Sequence, residues 1–391
     1  MSDNYTCNDG PEHSCSGPVR AAYVHIPFCL AKCFYCDFNS YPHMEDRFGD
    51  YADALVQEIY STKPSGFSLS SAYFGGGTPT VLSSGLLLKM LDALRAHFGF
   101  SDDIEATIEA NPGTINGRSV AELKRAGFNR LSIGIQSFND SILARIGRIH
   151  TAEQARDAFY IGRKAGFDNI SIDLMYALPG QSVSEWQRTL ETALELSPEH
   201  ISLYELTVEE GTVFGNLRKK CMLRLPDEDQ QIEMYTAAIE TLAPAGYDRY
   251  EISNFALSGR RSRHNMTYWR NEPYYGFGAG ASGYVEGVRY TNLKEPVRYI
   301  DAISAGRSAV ATSEALTGRQ AMGETIMLGL RMIDGLDLDA FRARFGVELE
   351  ESYPDELAKL SARGLIEIDG RSLRLTEAGL LIANEVMADF L

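Results

Sequence analysis

Between Ala21 and Glu205 short apolar runs alternate with segments whose apolar residues return every three or four positions, and this rhythm constrains the fold more than any other feature. The runs are Ala21–Ile26, Ser71–Phe74, Ile104–Ala110, Arg130–Ile135, Asn169–Asp173 and His200–Glu205. The helical spacing is seen in Tyr51–Tyr60, Gly85–Phe98 and Ser184–Leu196. Strands separated by helices are joined by crossovers, which make a mainly parallel sheet. A segment starting at Ala126 (Ala-Gly-Phe-Asn-Arg-Leu-Ser-Ile-Gly) returns at Ala165 (Ala-Gly-Phe-Asp-Asn-Ile-Ser-Ile-Asp), a spacing of 39 residues that suits one βα unit. Each copy reads as helix end, glycine cap, strand. Six units are too few for a closed eight-stranded barrel. They predict an α/β chain built on an open partial (β/α)6 TIM-like barrel, with its site at the C-terminal mouth of the strands. Glu109, Gln136, Asp173 and Glu205 stand at or just past predicted strand ends, where such a site would be.

The flanks read differently. Residues 1–18 are polar and rich in turn formers, and are expected to be a poorly ordered tail that carries Cys7 and Cys15 as incidental thiols. The barrel is expected over 19–255. After Ala256 the βα rhythm stops, and Tyr274–Tyr290 is rich in Gly and Tyr without a period, so 256–391 is read as a smaller C-terminal domain. Within it, Gln320–Met332, Asp337–Phe345 and Tyr353–Ala362 have helical spacing, and Leu365–Ile368, Asp369-Gly370 and Ser372–Leu375 read as a hairpin. Together they predict a winged-helix-like arrangement. No apolar run approaches the roughly 20 residues of a membrane span, and Met1–Pro18 lacks the basic-then-apolar order of a secretion signal. The expected place is the cytoplasm. A formal net charge of −16 argues against the broad basic surface of a nucleic-acid binder, so no nucleic-acid partner is expected.

Six cysteines in a cytosolic chain do not suggest a disulfide framework, and three of them are clustered. Cys29, Cys33 and Cys36 follow the first strand at C-x3-C-x2-C spacing. Three thiolates can hold a [4Fe–4S] cluster and leave one iron open to a small molecule. Zinc is the alternative, with His25 as the nearest fourth donor, though a strand residue so close to Cys29 is poorly placed to close a tetrahedron. Phe28, Phe34, Tyr35 and Phe38 would shield a cluster, or simply pack the loop. Cys221 lies in a mixed Lys-Arg segment and reads as a plain thiol.

The cysteine loop after the first strand, paired with Gly75-Gly76-Gly77-Thr78-Pro79-Thr80 after the second, resembles the radical S-adenosylmethionine (SAM) superfamily. The resemblance implies that the reduced cluster gives one electron to bound SAM, cleaving it to methionine and a 5′-deoxyadenosyl radical. It is nearest to the oxygen-independent coproporphyrinogen oxidase group, through Tyr-x-His-Ile-Pro-Phe-Cys, Ile-Glu-x-Asn-Pro, Ile-Gln-Ser-Phe and Asp-Leu-Met-Tyr-x-Leu-Pro, and covers Ala21 to beyond Trp269. It implies SAM contacts from Tyr23, Tyr35, Gly76, Gly77, Thr78, Glu109, Gln136, Arg148 and Asp173. Glu109 and Asp173 could accept from hydroxyls or the amino group, and Arg148 could pair with the methionine carboxylate. Each polar residue also fits a strand-end group satisfied by a neighbouring loop.

Members that oxidise porphyrinogens carry a fourth cysteine two residues after the third, where this chain has Phe38. The Phe38 pattern resembles the HemW-type haem chaperone branch. So does His264-Asn265-Met266-Thr267-Tyr268-Trp269, which matches that branch's His-Asn-x-x-Tyr-Trp motif. The resemblance implies haem binding that involves His264, Tyr268 and Trp269. It also implies transfer to apo-haemoproteins such as respiratory enzymes, a homodimer and a peripheral membrane association, though no amphipathic anchor is visible. The motif equally fits a domain boundary sealed by aromatics. Two other functions share the cluster residues: oxidative decarboxylation of coproporphyrinogen, and radical modification of a macromolecule such as RNA, which the acidic balance disfavours.

Overall fold

The computed structural model describes residues 17–391, so Cys7 and Cys15 lie outside the described residues. Six parallel strands run β1 Ala21–Ile26, β2 Leu69–Gly76, β3 Phe100–Ala110, β4 Arg130–Gln136, β5 Ile170–Tyr176 and β6 His200–Glu205. The crossovers are α1 Phe48–Ser61, α2 Ser84–Phe98, α3 Gly117–Ala126, α4 Ala152–Lys164 and α5 Val183–Leu196, and α6 Glu228–Leu242 follows β6. Each strand pairs with the next in chain order. The repeated segment is built as its sequence implies. α3 and α4 each end at a glycine in the left-handed region (Gly127, φ 115°; Gly166, φ 95°), and Phe128 and Phe167 turn into the core before β4 and β5.

The strands bury both faces, as strands covered by crossover helices must. Period-two alternation sorts the residues. Leu131, Ile133 and Ile135, with Ile170, Ile172, Leu174, Ile201 and Leu203, join the apolar core under the helices. The opposite face is polar and buried: Ser71, Glu105, Thr107, Arg130, Ser132, Ser171, His200 and Ser202. These groups pair across strands, Ser171 Oγ with His200 Nδ1 at 2.7 Å and Ser132 Oγ with Asp173 Oδ1 at 3.4 Å. The barrel interior is therefore a polar column, and its last residues emerge at the mouth.

The sheet does not stop near 255, where the sequence suggested a boundary. β7 Asp248–Arg249 and β8 Asn254–Ala256 add antiparallel strands beside β6. On the other edge β9 Tyr274–Phe277 lies parallel to β1, followed by antiparallel β10 Ser282–Val285, β11 Val288–Asn292 and β12 Val310–Ala315. Among the described residues this makes one 12-stranded sheet, in the order β12-β11-β10-β9-β1-β2-β3-β4-β5-β6-β8-β7. α7 Arg263–Trp269 sits beneath the N-terminal ends of β2 and β3, and α8 Pro296–Ser304 packs on α1.

The last part of the chain has a core of its own, with Ile326, Leu330, Phe341, Tyr353, Leu360, Leu373 and Phe390 at its centre. It comprises α9 Gly318–Gly329, β13 Leu336–Asp337, α10 Leu338–Phe345, α11 Pro354–Ala362, β14 Ile366–Ile368 and β15 Ser372–Leu375, the three strands ordered β13-β15-β14. Helices with a small antiparallel sheet are the winged-helix-like arrangement expected. The unit is tied to the barrel by Ile252 N donating to Arg331 O (3.1 Å), Ile333 N donating to Tyr250 O (3.1 Å) and the Arg331–Glu251 pair (3.3 Å).

Candidate functional site

The cysteines lie on the loop that leaves β1. Phe28 plugs the loop into the core, 4.7 Å from the Phe48 ring and 5.0 Å from that of Tyr51. The Asn39 amide donates to Ala279 O and Lys294 O, both at 2.9 Å, and Phe34 N donates to Ile146 O at 3.0 Å, so the loop is clamped at both ends. Cys29, Cys33 and Cys36 are half-buried in one cleft. Their sulfurs lie 3.5 Å from Thr78 Oγ1, 3.5 Å from Arg148 Nη1 and 3.9 Å from Ser40 Oγ, respectively. Burial pushes the Cys29 and Cys36 thiols above their ordinary value, so cluster binding has to displace protons. Among the described residues no three His, Cys, Asp or Glu side chains are disposed to hold a single metal ion. His25 is engaged elsewhere: Nε2 donates to Asn39 O, and Nδ1 accepts from the Tyr23 hydroxyl, both at 2.9 Å.

The cleft, about 380 Å³, brings together eight of the nine residues expected at SAM: Tyr35, Gly76, Gly77, Thr78, Glu109, Gln136, Arg148 and Asp173. Tyr23 is not among its lining residues; its ring stacks on Tyr73 behind it. The glycines are dictated by crowding. A Cβ on Gly76 would come within 2.5 Å of the His25 ring, and one on Gly77 within 2.5 Å of Phe28 O. Glu109 accepts from the Tyr73 hydroxyl at 2.6 Å and from Gly76 N at 3.1 Å. Burial lifts its carboxyl to about 7, and burial likewise lifts Asp173 to about 6. Arg148 donates to Asn111 Oδ1 at 2.6 Å and to Gly134 O. Two polar atoms are buried without partners, Gln136 Oε1 and Arg148 Nε, and Gln136 is held at φ 69°, a strained conformation for a residue other than glycine. Such orphaned groups at a strand mouth fit a site that awaits a polar ligand.

Sequence reasoning missed Asn111 as a site residue, although it belongs to the Ile-Glu-x-Asn-Pro motif. Its amide donates to Thr78 Oγ1 at 2.7 Å while its oxygen holds Arg148, so it couples the glycine loop to the arginine. Tyr204, Glu205, Thr207 and Glu209 complete the open side, which is acidic.

The structure keeps His264, Tyr268 and Trp269 apart from this cleft. The His264 imidazole is 1% exposed, with Nδ1 3.0 Å from Ser71 Oγ and Nε2 2.8 Å from Tyr268 Oη. An iron ligand at either nitrogen would have to break one of these bonds. Burial pushes its pKa down to about 3, so the ring is neutral. Trp269 faces a second cleft of about 570 Å³, between α7 and the C-terminal unit.

Residues 23–193 match the radical SAM superfamily model, and 316–382 match the HemN C-terminal domain model. The heme chaperone HemW of Bacillus subtilis (strain 168) is 41% identical over 376 residues, covering 95% of this chain and 99% of that protein. HemW of Lactococcus lactis subsp. lactis is 39% identical over 95% and 97% of the two chains. Among solved structures, the coproporphyrinogen III oxidase HemN from Escherichia coli, a radical SAM enzyme, superimposes with a TM-score of 0.82 at 25% identity, over 96% of this chain and 90% of that one. With cluster loop, glycine loop and strand-end polar residues converging at one barrel mouth, and near-full-length identity to these relatives, the chain belongs to the radical SAM superfamily and, within it, to the HemW family of haem chaperones.

Proposed function

We propose that this chain takes up haem as cargo and hands it to apo-haemoproteins, respiratory enzymes among them, while its barrel holds a [4Fe–4S] cluster and SAM. The observation that carries this reading over porphyrinogen oxidation is the open side of the first cleft. Coproporphyrinogen is a tetracarboxylate, and there it would meet Glu205 and Glu209, with Phe38 at the position of the oxidases' fourth cysteine. The cationic side chains lining that cleft are Arg148, already committed to Cys33, Asn111 and Gly134, and Lys32, which donates to Phe38 O. Burying unpaired carboxylates against carboxylates is strongly unfavourable.

In this reading Cys29, Cys33 and Cys36 hold the cluster. Tyr35, Gly76, Gly77, Thr78, Glu109, Gln136, Arg148 and Asp173 hold SAM, with Tyr23 supporting them from behind. A bound cluster with SAM supplies one-electron chemistry. The chain's own part is to fix the ligand and keep it from water: Gly76 and Gly77 let backbone approach, Glu109 and Asp173 offer acceptors, and Arg148 offers a fixed cation. A cytoplasmic place, a homodimer and a peripheral membrane contact belong to the same reading. No described helix is long and apolar enough to cross a membrane.

The test is anaerobic incubation of reconstituted protein with coproporphyrinogen, SAM and reductant, alongside a haem titration. We expect stoichiometric haem binding and no decarboxylated product; robust protoporphyrinogen formation would refute the proposal.

A further inference from the structure

The second cleft differs chemically from the first. Its walls come from α7 and from the C-terminal unit, and Trp269, Met266, Met332 and Phe341 give it an apolar, polarisable lining. Its volume, about 570 Å³, falls within the roughly 300–1,000 Å³ of pockets that enclose a cofactor-sized ligand. A thioether is a known axial donor to haem iron, and an indole is a good platform for a flat macrocycle.

Three arginines line the same cleft. Arg270 and Arg371 are exposed and form no ion pair among the described residues, while Arg344 donates to Asn271 O at 2.9 Å and to Tyr284 Oη at 2.7 Å. The acids nearby have other work. Asp334 pairs with Arg261, Asp337 accepts from Ala340 N at 2.8 Å to cap α10, and burial pushes the Glu272 carboxyl up against the attraction of Arg270 and Arg344. Two buried donors on lining residues, Trp269 Nε1 and Arg344 Nε, have no partner. An apolar slot with unpaired arginines and unfilled donors matches a flat molecule with an apolar body and carboxylates at one edge.

We propose that the haem cargo seats in this second cleft, its macrocycle against Trp269 and its propionates on Arg270 and Arg371. The assignment rests on the reading of haem as cargo and goes beyond it in naming the place. His264 is then a positioning residue: its bonds to Ser71 and Tyr268 fix α7, and α7 presents Trp269. Cargo and cluster occupy separate clefts, so haem can be loaded or released without opening the SAM site.

The test is ferric haem titration of the full-length, cluster-reconstituted protein, followed by Soret absorbance. Ala340→Trp fills the cleft from an exposed position, and the double substitution Arg270→Glu with Arg371→Glu reverses charge on two exposed side chains. Each should weaken haem binding by at least about tenfold, the loss expected when charge-assisted contacts or the slot itself are removed. SAM binding and iron content should stay unchanged in both, which shows that the fold is intact. Haem binding at wild-type affinity in both variants would overturn the location and leave the cargo reading standing. Failure of the unaltered protein to bind haem would overturn both.

Discussion

Arg148 touches Cys33, Asn111 and Gly134 at once, so the first cleft depends on how this one guanidinium is held. Asn111→Ala should release it and free Thr78 together, lowering SAM affinity by about tenfold, the cost of a charge-assisted bond, as calorimetry on the reconstituted protein would record. Glu109 makes a prediction in pH. Its carboxyl titrates near 7 in the folded protein against an ordinary 4.5, because burial disfavours the charge. Between those values the native state binds more protons than the unfolded chain, so stability falls as pH rises through the window and levels off above it. In cluster-free, SAM-free protein, Glu109→Gln should reduce that slope in urea denaturation, leaving below about pH 6 the part that Asp173 contributes; an unchanged slope would remove Glu109 as a source. Phe38→Cys should restore the oxidases' spacing without conferring decarboxylation, because Glu205 and Glu209 still face the substrate side; product formation would contradict the electrostatic argument. The cysteines and the glycine loop were legible in the sequence because each is a contiguous motif whose spacing has a chemical meaning. Asn111 was not, because an asparagine before a proline looks like an ordinary turn until its partners, distant in sequence, are seen.

At the scale of elements, α7 shows how a motif can matter without touching a ligand at every position. Glu105, buried on the inner face of β3, accepts from Arg263 N and His264 N, both at 3.1 Å, and so caps the helix from outside its own sequence. Glu105→Ala should leave those buried donors unmet and destabilise the protein by about 2 kcal/mol in urea unfolding. It should also shift the emission of Trp269, one of only two tryptophans. The strands β1 to β6 were legible because crossover helices impose two clean periods, and their ends were read within a few residues. The strands β9 to β11 were not. Their residues are a mixture of Gly, Tyr and Arg whose partners lie far along the chain, β9 pairing with β1 across the whole barrel. The turn between β10 and β11 is made by Glu286 and Gly287 with φ 52° and 77°, and a glutamate is not the residue that normally announces such a turn.

At the scale of the whole molecule, one sheet joins two clefts with opposite demands. The mouth of the barrel gathers thiols, carboxylates and a single committed arginine; the cleft beneath α7 gathers aromatics, thioethers and unpaired arginines. The sequence made the first visible, because its parts sit at successive strand ends. It could not reveal the second, which exists only where the C-terminal unit meets α7, so the arginines that share a cleft with Trp269 went unread. A net charge of −16 sets the surface as a whole against polyanions, and the two exposed arginines of the second cleft are a local exception. The central claim is haem delivery, and the most direct measurement is transfer: protein loaded with haem and freed of excess is mixed with a haem-free respiratory enzyme, and the recovery of that enzyme's activity is followed. We predict recovery in proportion to the haem carried, with loss of the Soret signal from this protein. Retention of haem with no recovery, or recovery no faster than from free haem, would contradict it.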